Sequence, residues 1–169
     1  MVEVTAKLKI RRGAYKVDVK GQLVLPFAAR RNGQQAAVKL QSGEAVVLKL
    51  PPGEVLRGGD LVTASDGRVI EVIAAPEKLL HVAGAALPRI AYILGNGHVP
   101  VQFGDGFMRL PDADELEEAL RQHGLEVSRV EEPFEPEVVG GHAHPDHGNE
   151  HRHDHDHDHH DHGHGHHHH

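Results

Sequence analysis

A histidine-rich segment at the C-terminal end most constrains what this 169-residue chain can fold into. Residues 142–169 carry fifteen of the eighteen histidines, interleaved with aspartates and single glycines. Such a stretch offers almost no apolar area to offset the entropy of ordering it. We therefore expect residues 140–169 to be a disordered tail in the absence of metal, and the fold to be built from the residues before it.

The composition of this His-rich tail predicts metal binding, because neutral imidazole is the commonest protein ligand for zinc, nickel and copper. An expression tag is normally an uninterrupted run, and only His166–His169 fits that description. A pH-sensing tail is the alternative, since imidazoles gain charge near about pH 6.5. The predicted tail ligands are His142, His144, His147, His151, His153, His155, His157, His159, His160, His162, His164, His166, His167, His168 and His169.

Charge and composition exclude several classes of protein. Of the net charge of −7, the segment 141–169 holds −5 and the rest of the chain only −2, so nothing favours binding to nucleic acid or to an anionic membrane. Cysteine is absent, which excludes disulfides, thiolate metal sites and a cysteine nucleophile. Met1–Ile10 alternates charged and apolar residues, unlike a signal peptide, and no stretch approaches the length of a membrane span. We expect a cytoplasmic protein.

The first half of the chain has the period-two pattern of β-strands. Apolar residues alternate with polar ones over Val2–Ile10, which predicts a half-buried strand. Residues 1–75 are therefore predicted to form an all-β domain, a small barrel or sandwich. The further predicted strands are Tyr15–Val19, Leu23–Phe27, Ala36–Leu40, Ala45–Leu50, Leu61–Ala64 and, after an Asp66-Gly67 turn, Arg68–Ile73.

Beyond a seam at Ala74-Ala75-Pro76 the pattern changes to β-α-β-β-α-β, which predicts a ferredoxin-like domain over residues 76–139 and an α+β fold overall. The first helix is predicted to begin near Pro88 and to end at Gly95–Gly97, with their preference for positive φ. The second helix is predicted to be capped by Asp112, with Glu115 reaching back. The remaining predicted features are strand Leu79–Val82, the helical face of Leu87, Ile90, Ala91 and Leu94, the strand pair Val99–Phe103 and Phe107–Leu110, the helical face of Leu116, Ala119 and Leu120, and strand Leu125–Val130.

Three histidines lie before the tail. His98 follows a glycine turn at a helix end, where a short loop can present an imidazole, although most histidines in such places are ordinary surface residues. His81 and His123 fit structural roles at a strand end and a helix C-terminus. No acid–base pair and no serine beside a histidine can be identified, so we expect no enzyme activity.

Several segments resemble the UreE family of urease accessory proteins. Leu94–Gln102 is similar to the Leu-Gly-Asn-Arg-His signature of that family. Val55–Asp60 and Asp66–Arg68 resemble its N-terminal domain, and Leu120–Gln122 and Pro133–Glu137 resemble its C-terminal end. The similarity spans most of residues 1–139, and a His-rich tail is common in the family.

The resemblance implies a cytoplasmic homodimer that holds Ni(II) and helps to deliver it to apo-urease with other accessory proteins. It makes His98 the metal ligand of the folded body, and the N-terminal β domain a site for peptide or protein. Two departures stand out. Gly97 replaces the usual Arg, and Asp112 and Asp114 lie in the region where some members carry additional histidines, so a second site in the body is not expected.

A single imidazole cannot satisfy a transition-metal ion, which needs four to six donors. A twofold dimer could bring two copies of His98 together, with tail histidines completing the shell. Ligand type does not distinguish Ni(II) from Zn(II) or Cu(II), and only the resemblance favours nickel. The alternatives are a general metal-storage or detoxification protein without a urease partner and a folding catalyst such as a prolyl isomerase. The second is disfavoured by the lack of Trp and the presence of only two Tyr and four Phe.

Overall fold

A computed structural model of the chain describes residues 2–9, 16–32 and 34–138. Within these ranges no helix is long and apolar enough to cross a membrane. The described elements, in chain order, are β1 (Val2–Lys7), β2 (Val19–Leu25), α1 (Phe27–Arg31), β3 (Gln34–Lys39), β4 (Ala45–Lys49), β5 (Leu61–Ala64), β6 (Val69–Ala74), β7 (Pro76–Ala83), α2 (Leu87–Asn96), β8 (Gln102–Gly104), β9 (Phe107–Pro111), α3 (Asp114–Gln122) and β10 (Glu126–Pro133).

The first six strands form one mixed sheet in the order β2-β6-β5-β1-β4-β3. β1 pairs in parallel with β4, and β2 in parallel with β6. The two edges approach each other where the Gln41 N–H donates to the Gln22 carbonyl over 2.8 Å. Alternate residues, such as Val46 and Leu48, turn inward onto an aliphatic core. The strand-rich first half is therefore as predicted, and it is a single curled sheet.

The other four strands form an antiparallel sheet in the order β10-β7-β9-β8. Buried residues of α2 and α3, including Ile90, Leu94 and Leu120, share a core with Leu80 and Val82 of β7. The hairpin between β8 and β9 turns at Asp105-Gly106. The element order and the strand order together confirm the ferredoxin-like prediction for this half.

Two predictions in the first half are wrong in detail. β2 is one strand that runs through Gly21, where a Cβ atom would stand 3.3 Å from the Leu40 side chain, so the strand lies close to Leu40 and does not break at the glycine. Phe27 begins α1 instead of ending a strand, and its N–H donates to the Glu77 carboxylate of β7 over 2.6 Å. The predictions for Ile10 and Tyr15 fall outside the described residues.

Three details of the second half also differ from prediction. β7 and β10 pair along eight residues each, because the ladder continues through polar positions such as Lys78 and Glu131, which give no apolar signal. β8 begins at Gln102, whereas the predicted strand began at Val99. Asp112 does not cap α3; Ala113 is the N-cap residue without a side-chain hydrogen bond, and the Asp112 carboxylate accepts one from Arg129 Nε at 2.9 Å.

The two sheets are joined at α1 and the segment after β10. Arg30 of α1 is completely buried, and its guanidinium donates to the carbonyls of Leu25 and Leu56, to the carbonyl of Phe134 and to the Glu135 carboxylate. The Phe27 and Phe134 rings meet edge to face, with centroids 5.7 Å apart. These contacts hold α1 against residues 134–138.

Candidate metal site

The C-terminal end of α2 presents His98 in an unusual backbone conformation. The N–H of Val99 donates to the carbonyl of Leu94 at 3.0 Å, and the N–H of His98 donates to that of Gly95 at 3.0 Å. This double hydrogen bond is the Schellman motif, which places its left-handed residue one position after the helix cap. The cap is Gly97, with φ −81°, so the left-handed residue is His98, with φ 56°.

The prediction of positive φ at Gly95–Gly97 is therefore wrong. Among the described residues His98 alone combines a side chain with positive φ. Left-handed backbone costs a residue with a Cβ about 1 kcal/mol relative to glycine. Such strain persists where the surrounding structure enforces it and is common at functional sites.

His98 lines a cleft at the junction of the two sheets, with a volume of about 270 Å³. We call this the His98 cleft, and three parts of the chain form it. Its lining residues are Phe27 and Arg31 of α1, Gly95 and His98–Pro100 at the end of α2, and Glu137 and Val138 after β10.

The donors in the His98 cleft are one imidazole and one carboxylate. The N–H of Glu137 donates to the carbonyl of Val101 at 2.8 Å, which fixes the backbone beside the His98 turn. Within residues 2–9, 16–32 and 34–138 no three His, Asp or Glu residues stand close enough together to hold a metal ion. One copy of the described body therefore offers only one imidazole and one carboxylate, donor types that suit a borderline divalent ion.

The solvent-facing flank of α2 exposes two large hydrophobic side chains. Tyr92 is 72% exposed and Ile93 is 49% exposed, whereas Ile90 and Leu94 on the other side of the helix are buried. Nothing within the described structure lies within 4 Å of a Cβ built on Gly95, so a second surface can approach the helix closely there.

The other two described histidines do not line the His98 cleft. His81 of β7 stacks on the Phe107 ring of β9, with centroids 4.5 Å apart. His123 follows α3 as its C-cap residue and donates its backbone N–H to the carbonyls of Ala119 and Leu120. Their places in the fold are as predicted, with His81 in a strand and His123 at the C-terminus of a helix.

Asp112 and Asp114 both pair with the side chain of Arg129. Arg129 donates to both carboxylates and lies 2.8 Å from that of Glu117. The hydrogen bond to Asp112, with the charges of Glu117 and Asp114, outweighs desolvation and raises the pKa of Arg129. This ion-pair network gives the region a structural function.

Sequence reasoning did not identify Arg31 or Glu137 as neighbours of His98. Pro133–Glu137 was noted only because it resembles the C-terminal end of the family. In the structure its two glutamates make different contacts. Glu135 joins the sheets, whereas Glu137 is one of the residues that line the His98 cleft. The fifteen predicted tail ligands, from His142 to His169, lie outside the described residues.

Comparisons with known proteins match nearly the whole chain. The family model "UreE urease accessory protein, N-terminal domain" matches residues 16–75, and "UreE urease accessory protein, C-terminal domain" matches residues 69–169. Relatives named "Urease accessory protein UreE" include those of Cupriavidus necator, 42% identical over 85% of this chain and 79% of the relative, and Azotobacter vinelandii, 50% identical over 64% and 69%. The relative from Burkholderia vietnamiensis is 43% identical over 72% of this chain, which spans 64% of that protein's length, just under two thirds.

Proposed function

We propose, because this chain belongs to the UreE family of urease accessory proteins, that it binds Ni(II) and supplies it to apo-urease during assembly of the urease active site. The family is one of accessory proteins and not of enzymes, so the folding-catalyst alternative is set aside. We further propose that the protein acts in the cytoplasm with other urease accessory proteins, and that residues 1–75 contact protein partners.

The observation that carries this proposal is the placement of His98. His98, a left-handed residue at a helix end, lines an open cleft, where a metal ion can enter and leave. An imidazole ligand at the surface exchanges its metal faster than an enclosed structural site. Such a site suits a carrier, which must release its cargo by ligand replacement.

Homodimer formation would complete the ordered site. One copy of the described body lacks three clustered ligands, and the flank of α2 next to His98 exposes Tyr92 and Ile93. A twofold contact through this flank buries apolar area and brings two copies of His98 towards one axis. We propose one ordered Ni(II) per dimer at that axis.

The His-rich tail would supply further ligands. Val138 ends the described chain inside the His98 cleft, and His142 follows four residues later. Four extended residues span at most roughly 14 Å, so the first tail histidines can reach the cleft. The remaining ones would hold additional Ni(II), and Zn(II) or Cu(II) would compete for them.

The test is activation of apo-urease by nickel-loaded protein at limiting free nickel. We expect His98→Ala to reduce the activated fraction at least about tenfold, and His81→Ala, which removes an imidazole outside the His98 cleft, to leave it unchanged. Equal activation by His98→Ala and the unaltered protein would contradict the proposal. A storage protein, the alternative that the capacity of the tail favours, would bind nickel in the same experiment without activating urease.

A further inference from the structure

We propose that the Glu137 carboxylate is a metal ligand alongside His98, so that two protomers together supply two imidazoles and two carboxylates to the ordered ion. This inference rests on the proposed function and names the oxygen donor of its body site. In each chain the His98 cleft is lined by one histidine, His98, and by one acidic residue, Glu137.

The two neighbouring glutamates of the Pro133–Glu137 segment are used differently. Glu135 accepts hydrogen bonds from Arg30, Arg57 and the N–H of Gly58. The carboxylate of Glu137, in contrast, has no hydrogen-bond or ion-pair partner in the part of the chain that the structure describes, although its backbone is held by Val101. A carboxylate fixed at its backbone and free at its oxygen atoms is available to an ion.

Charge favours the same assignment. Arg31 lies in the His98 cleft, and a guanidinium there opposes the entry of a divalent cation. The negative charge of Glu137 offsets it. Two imidazole nitrogens and two carboxylate oxygens make a tetragonal N,O shell of the kind that Ni(II) and Cu(II) accept. The site is incomplete without the second copy, since one described body has no three ligands together.

The experiment measures the tightest site of the full chain by competition with a chromophoric chelator, at one Ni(II) per two chains. Glu137→Gln and Glu137→His remove the same charge, but only His restores a metal ligand. We expect Glu137→Gln to weaken this site about tenfold or more, and Glu137→His to stay within about threefold of the unaltered protein. Glu132→Gln, an exposed carboxylate on β10, is the charge-matched control and should have no effect.

The outcomes separate this inference from the proposed function. If Glu137→Gln binds as tightly as the unaltered protein while His98→Ala does not, the carboxylate is not a ligand and the His98 site stands. If Glu137→His is as weak as Glu137→Gln, or if Glu132→Gln matches them, Glu137 acts through charge alone and the inference is wrong. If His98→Ala also keeps full affinity, the body site of the proposed function is itself wrong.

Discussion

His98 occupies a position at which glycine is the most favourable residue. The left-handed backbone at the end of α2 is required by the Schellman hydrogen bonds of His98 and Val99. The preceding Gly97 has an ordinary φ of −81° and does not need to be glycine. The chain therefore places its glycine one residue before the position where it would relieve strain, and the strained position carries the imidazole.

Glycine should increase the free energy of unfolding at position 98 and decrease it at position 97. His98→Gly should be more stable than His98→Ala by about 1 kcal/mol, because only glycine adopts positive φ without steric cost. Gly97→Ala should be more stable than the unaltered protein by roughly 0.5–1 kcal/mol, because a Cβ there meets no described atom closer than 3.5 Å. Urea denaturation of metal-free protein measures both.

This pair of substitutions tests the backbone explanation directly. If His98→Ala proves as stable as His98→Gly, the left-handed conformation stores no strain. A destabilising Gly97→Ala would indicate that residue 97 also needs glycine.

The sequence predicts that His98 follows a helix end, since three small or polar residues interrupt the apolar period there. It does not predict which residue becomes left-handed. Glycine propensity favours residues 95–97, but the last hydrogen-bonded turn of α2 decides the position, and the helix continues through Gly95 and Asn96. Local propensity is overridden by the packing of Val99 against the core of the second sheet.

At the scale of elements, α1 and the segment after β10 hold the two sheets together. Arg30 is fully buried, and Glu135 provides the only carboxylate bonded to it within the described chain. Burial alone raises the pKa of Glu135, but the hydrogen bond from Gly58 and the guanidinium groups of Arg57 and Arg30 lower it below its usual value. The ionised form is therefore the one that the fold stabilises.

Glu135→Gln should lower the free energy of unfolding at pH 7 by about 1–3 kcal/mol, because it leaves the buried Arg30 without a counter-charge. The folded-state pKa of Glu135 is lowered, so its contribution is complete above the model-compound value of 4.5 and is lost as pH falls through the folded value. The difference between Glu135→Gln and the unaltered protein should shrink below about pH 4.5. Denaturation curves at several pH values measure it.

Glu132→Gln is the matched control, since Glu132 is an exposed carboxylate on β10, three residues before Glu135. It should change stability by less than about 0.5 kcal/mol at any pH. A Glu135→Gln penalty that stays constant down to pH 3.5 would show that the ionised carboxylate is not what stabilises the junction.

The junction could not have been predicted from local sequence. Residues 30 and 135 are 105 positions apart, and an arginine in a five-residue helix is normally exposed. The strands of the second sheet were predicted because apolar periodicity marks them, as in Leu79–Val82. Their polar extensions were not predicted, since only pairing with the neighbouring strand defines them.

At the scale of the whole molecule, the chain combines the His98 cleft with a tail sequence that contains fifteen histidines. The body supplies one imidazole and one carboxylate per copy, whereas the tail is rich in imidazole. Capacity should therefore depend on the tail, and ordered binding on the paired bodies. The proposed delivery of Ni(II) requires both, because a carrier has to collect ions and present them in a defined place.

Nickel uptake by the full chain should fall steeply between about pH 7.5 and pH 5, because protons and metal compete for the same imidazole lone pair around a pKa of about 6.5. Over this range the segment 141–169 changes from a charge of −5 towards a positive charge, so attraction for a divalent cation becomes repulsion. Calorimetric titration at each pH measures the number of ions bound. Capacity that stays constant down to pH 5 would mean that carboxylates, such as the five tail aspartates, bind most of the nickel.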